Sequence, residues 1–140
     1  MSSHRAIITL CGSTRFWRTF QQASLLETLS GNIVLSIGSA SGTDDDHFGG
    51  YLPRDEYDQV KADLDRLHLD KIAMSHGVLI LNVGDYIGQS TTAEVRHARE
   101  LGKAVTWWEW PSAHAVDGEP LRVYPDRVTR LAGKETRHAT

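Results

Sequence analysis

Along the chain, short and strongly apolar runs alternate with longer segments whose apolar residues return every three or four positions. Ala6 to Cys11 (AIITLC) is a β-branched run that stops at Gly12-Ser13-Thr14, which predicts a buried strand entering a turn and a helix. The helix is expected over about residues 14–29, with Phe16, Phe20, Ala23 and Leu26 spaced for one buried face. Gly31-Asn32 ends it, and Ile33 to Ile37 (IVLSI) predicts a second strand. Residues 38–52 are rich in Gly, Ser and Asp without either period, and read as a long loop that closes as a lid. From Pro53 a second helix is predicted to about Ser75, with Tyr57, Val60, Leu64, Leu67 and Met74 facing inward and His68 beside them.

Val78 to Val83 (VLILNV) is the most apolar run, as a central parallel strand covered on both faces would be. Its loop leads through Gly84 and Gly88 into a helix from about Ser90 to Leu101, and after Gly102-Lys103 the run Ala104 to Trp108 (AVTWW) predicts a fourth strand. Strands alternating with helices imply right-handed crossovers, and hence an α/β, Rossmann-like domain with a parallel sheet of about four to five strands. In such sheets ligands collect at the carboxyl ends of the strands, where the glycine turns at Gly12 and Gly84–Gly88 fall.

Composition narrows this frame. At 140 residues and 40% hydrophobic content one domain is expected, over 1–110, followed by a partly flexible C-terminal extension over 111–140. A net charge of −3 argues against extended contact with a nucleic-acid polymer but leaves room for one small anionic ligand. The single cysteine, Cys11, makes no intrachain disulfide and no paired metal-ligand pattern. No run approaches the roughly 20 apolar residues of a membrane span, and a cytoplasmic protein without membrane attachment is expected.

Two strand-to-helix turns carry candidate chemistry. Gly12-Ser13-Thr14-Arg15 offers backbone N–H groups, a hydroxyl and a guanidinium fork to a phosphate; the plainer reading is a turn glycine, a capping serine and a surface arginine. It is not a P-loop, which needs a longer glycine spacing and a Gly-Lys-Ser/Thr ending. Gly88-Gln89-Ser90-Thr91-Thr92-Ala93-Glu94 places a carboxylate in an expected first helical turn, where the macrodipole would keep it ionised as a nucleophile. Thr91-x-x-Glu94 is equally a capping box, in which the carboxylate only caps its own helix. His68 and His76 are eight residues apart, too far for the paired spacing of a helical metal site, and no metal or cofactor is expected. Thr43 to His47, three of them aspartates, lacks the ligand spacing of a calcium loop and reads as solvated.

Taken together, CGSTR at the first strand end, DYIGQSTTAEVRHA and the following GKAV resemble the nucleoside 2-deoxyribosyltransferase superfamily, including its deoxynucleoside 5′-monophosphate N-glycosidase branch. The resemblance spans about residues 6–108. It implies that Glu94 attacks the anomeric carbon, that Ser13 and Arg15 hold a 5′-phosphate, and that Gly12, Gly88, Ser90 and Thr91 line the substrate. Where the family has a first-strand tyrosine this chain has Thr9, and where it has a catalytic aspartate this chain has His68, with Asp70 two residues on. Either side chain could assist departure of the base. The implied ligand is a nucleotide or nucleoside, with hydrolysis favoured over transfer by the phosphate-binding pair. A non-catalytic nucleotide sensor on the same scaffold is the alternative. The family's habit of building sites between subunits, with the Trp-rich fourth strand, suggests a homodimer.

Overall fold

A computed structural model describes residues 4–38, 42, 43, 46 and 51–138, with side chains to residue 133. Its elements follow the expected alternation: β1 (Ile7–Cys11), α1 (Trp17–Leu29), β2 (Ile33–Leu35), α2 (Arg54–Met74), β3 (Gly77–Ile80), α3 (Gln89–Glu100), β4 (Ala104–Trp107) and α4 (Asp126–His138). A 3-10 turn over Thr14–Phe16 precedes α1, so the first helix begins later than its apolar spacing suggests. The expected lid over 38–52 and the acidic stretch Thr43 to His47 lie largely outside the described residues.

The four strands form one parallel sheet in the order β2-β1-β3-β4. The chain goes outward from β1 to β2, then returns through α2 to the other side of β1. The carboxyl ends of β1 and β3 therefore flank the point where strand order reverses, which is where doubly wound sheets open a crevice.

Successive strand side chains point to opposite faces, and the core divides accordingly. Cys11, Val78, Ile80, Val105 and Trp107 pack with Ile72 of α2 and with Val95 and Ala98 of α3. Leu10, Leu79 and Leu81 pack on the other face with Phe20 and Ala23 of α1. Every residue of β3 is buried, as its unbroken apolar run predicted. Gly12 is required where the chain leaves β1, since a Cβ there would stand 3.0 Å from Leu81 Cβ and 3.3 Å from the Leu81 carbonyl oxygen.

The inward face of α2 matches the expected one only in part, since Leu64 and Leu67 border the cavity at the strand ends without being buried. His68 and Ile72 are its buried residues, while Leu64, Leu67 and Met74 are exposed. Trp107, the last residue of β4, is fully buried and Trp108 packs against Tyr124, so of the three tryptophans at the end of this strand only Trp110 is exposed.

Residues beyond Pro111, which carry little periodic signal, are bound to the domain. The Trp107 amide donates to the Pro120 carbonyl at 2.9 Å, and the Arg122 amide to the Trp107 carbonyl at 2.7 Å. The Arg122 guanidinium reaches Glu27 of α1 at 2.7 Å, beside bonds to the same carboxylate from Tyr124 and Asn32. Helix α4 packs on α1 and buries Val128 completely. Among the described residues no helix is long and apolar enough to cross a membrane.

Candidate active site

The crevice at the β1/β3 carboxyl ends holds a cavity of about 290 Å³, near the lower end of the range for small-molecule sites, about 300–1,000 Å³. Its wall has three parts. The β1 turn contributes Gly12, Ser13 and Thr14; α2 contributes Lys61, Leu64, Asp65, Leu67, His68 and Lys71; the start of α3 contributes Gly88, Gln89, Ser90, Thr91 and Glu94. Tyr86, from the loop before α3, completes one side.

Gly88 caps α3 without a side-chain bond, and Gln89 is its first residue. Glu94 is thus in the second turn, and Thr91 is inside the helix, where it cannot act as the cap of a capping box. The hydroxyl that does bond near this end is that of Thr92, donating to the Gly88 carbonyl at 2.9 Å. Freed from capping, the Glu94 side chain turns inward against Cys11 and His68, with Oε1 4.0 Å from His68 Nε2.

The macrodipole argument for an ionised Glu94 fails at this position, because the dipole's effect fades beyond the first turn. Burial, followed by the charge of Asp65, pushes the Glu94 carboxyl up to about 8, against the opposing pull of Lys61 and a bond from the Cys11 thiol. Burial and the neighbouring Lys71 charge bring His68 down to about 4, although its ring also donates to the Leu10 carbonyl. At neutral pH Glu94 is mainly protonated and His68 neutral, so the two do not form an ion pair. Cys11, fully buried, has its thiol raised by burial and by Glu94.

Of the residues expected to bind substrate, Gly12, Ser13, Gly88, Ser90 and Thr91 lie in the wall. Ser13 also has the plainer role, accepting the Arg15 amide at 3.3 Å. Arg15 is exposed, stacks with its guanidinium 4.2 Å from the centre of the Tyr86 ring, and does not line the cavity. Asp70 is exposed and stands away from the cavity, two residues round the helix from His68. Thr9, fully buried, donates to the Lys71 carbonyl at 3.1 Å; the β1 side chain that meets Glu94 is instead Cys11. His76 accepts the Ile7 amide through Nδ1 at 2.8 Å, a structural bond at the opposite end of β1.

Sequence reasoning passed over Cys11, Lys61, Asp65, Lys71 and Tyr86 as site residues. Positions 61, 64, 65, 68, 71 and 72 recur at helical spacing, but the polar ones among them mask the stripe when only apolar residues are counted. Cys11, His68 and Glu94 offer a sulfur, a nitrogen and an oxygen within 4.8 Å of one another, a set that could hold a metal ion.

The fold is that of a Rossmann-like α/β protein, with a crevice at the switch in strand order. No protein-family model matches the chain, and no curated protein sequence does. Among solved structures it is similar to the CMP N-glycosidase BcmB of Clostridium botulinum, at 12% identity and TM-score 0.47, over 94% of this chain and 98% of that one. It is also similar to a conserved protein from Enterococcus faecalis V583, at 10% identity and TM-score 0.48, over 94% and 88% of the two chains.

Proposed function

We propose that the protein is an N-glycosidase that breaks the base–sugar bond of a (deoxy)nucleoside 5′-monophosphate, with Glu94 as the nucleophile. The observation that carries this reading is the direction of Glu94, which leaves its helix end uncapped and lines the cavity. The sequence resemblance supplies the reaction. Ionised Glu94 attacks C1′, the C1′–N bond breaks through an oxocarbenium-like transition state, and water releases the sugar phosphate from the glycosyl ester.

The geometry revises the supporting roles. The first amides of α3, over Gln89–Thr91, have no partner one turn back and border the cavity, so they and Ser13 are the donors for the phosphate. Arg15 contributes through Tyr86, whose ring it holds from outside. His68, neutral at neutral pH, orients the leaving base or sugar rather than protonating it. With its proton leaving near pH 8, roughly one Glu94 in ten is ionised at pH 7 in the free site.

Incubation with a panel of nucleosides and 5′-monophosphates, with and without an acceptor base, tests the reading by chromatography. Free base and sugar phosphate from the monophosphates alone is the expected result. Base exchange between neutral nucleosides, without hydrolysis, would instead make it a transferase.

A second reading is favoured by the raised Glu94 and lowered His68, which together make a neutral donor and acceptor suited to gripping a sugar hydroxyl. In that case the protein is a nucleotide sensor. Saturable binding without turnover, little weakened by Glu94→Gln, would support it.

A further inference from the structure

The inner end of the cavity gathers donor chemistry beyond what glycoside cleavage needs. Cys11 at the end of β1, His68 in α2 and Glu94 in α3 are all buried, and their sulfur, nitrogen and oxygen atoms lie within 4.8 Å of one another. His68 and Glu94 also face the cavity, which leaves an approach for an ion and an open side once it is held. The His68 ring donates to the Leu10 carbonyl. A bond of that kind fixes the orientation and tautomer of metal-binding histidines and keeps the other nitrogen free for the ion.

We infer that Cys11, His68 and Glu94 form a binding site for a borderline divalent cation of the zinc type. Calcium and magnesium take oxygen ligands, whereas zinc accepts thiolate, imidazole and carboxylate together. Three protein ligands with one open position is also the arrangement of zinc centres that exchange ligands. Bond lengths of about 2.0–2.3 Å put tetrahedral donors roughly 3.3–3.8 Å apart, so binding must draw the most distant pair together by about 1 Å. Side-chain rotation covers that movement.

Glu94 cannot hold an ion and attack a sugar at once. Ion and nucleotide therefore exclude one another, and the ion inhibits the glycosidase by occupying its nucleophile. The site itself stands without that activity, because ion binding is measured with no substrate present.

The test uses the chelator-stripped wild-type chain, titrated with Co²⁺ as a spectroscopic stand-in and then with Zn²⁺. One Co²⁺ per chain is expected, with the intense near-ultraviolet absorption of a cobalt–thiolate bond, displaced by zinc. Cys11→Ser should lose that absorption and bind zinc at least about tenfold more weakly by calorimetry. Glu94→Gln should weaken binding while keeping the absorption, and His97→Gln, outside the cluster, should leave both unchanged. A wild-type spectrum without the thiolate absorption would overturn the inference, whether or not the variants fold. So would unchanged zinc affinity in Cys11→Ser. Base release assayed in excess chelator reports on the glycosidase separately, since it proceeds or fails whatever the zinc result.

Discussion

Glu94 is a carboxyl group whose position weakens the fold. Its proton leaves near pH 8 in the native chain, against about 4.5 for a solvent-exposed glutamate, so the folded state binds more protons than the unfolded one between those values. Stability contributed by this group is complete below about pH 4.5 and is lost as pH rises towards 8. Glu94→Gln keeps the shape and removes the titration. Its unfolding free energy relative to the wild type should therefore rise over this window, by up to about 1.4 kcal/mol per pH unit, and then level off, with the melting temperature following the same course. A margin independent of pH would show that Glu94 is solvated. The sequence pointed to Glu94 itself, through its short motif and a resemblance, but not to its protonation. That property comes from burial between strand and helices and from the charge of Asp65, which is distant in the chain and meets Glu94 only in the fold.

At the level of elements, the strands were the most legible part, because runs such as AIITLC and VLILNV are apolar on both faces and few other structures accept them. Helix α1 also followed its pattern, with Phe20, Ala23 and Leu26 buried. Helix α2 did not, because it borders both the sheet and the cavity. The face it turns to the cavity mixes Lys61, Leu64, Asp65, Leu67 and His68, with Ile72 buried beyond them, so apolar residues alone do not mark it, and Met74 is exposed. This assignment is open to measurement by urea unfolding. Ile72→Ala, which empties a fully buried site, should cost about 2–5 kcal/mol, while Leu67→Ala should stay within about 0.5 kcal/mol. Equal losses would restore the sequence-based face.

In the whole molecule, a buried carboxylate, Glu27, is one of the groups that fasten the chain after β4. Burial raises Glu27, but bonds from Arg122, Tyr124 and Asn32 outweigh it and hold the carboxyl below its usual range. Its stabilising contribution is present above the unfolded value and lost as pH falls through the lowered native one. Arg122→Ala leaves that charge with one fewer partner and should cost about 3 kcal/mol, with earlier acid unfolding followed by circular dichroism. The pairing spans 95 residues and joins two polar side chains with no shared motif, so no periodicity announces it. Around the crevice that this frame holds open, the central claim is that Glu94 is the group that reacts. It is tested most directly by comparing base release from a 5′-monophosphate by the wild type and by Glu94→Ala, both shown to be folded. The account predicts release by the wild type and a loss of at least about a thousandfold in the variant. Undiminished release by Glu94→Ala would contradict it.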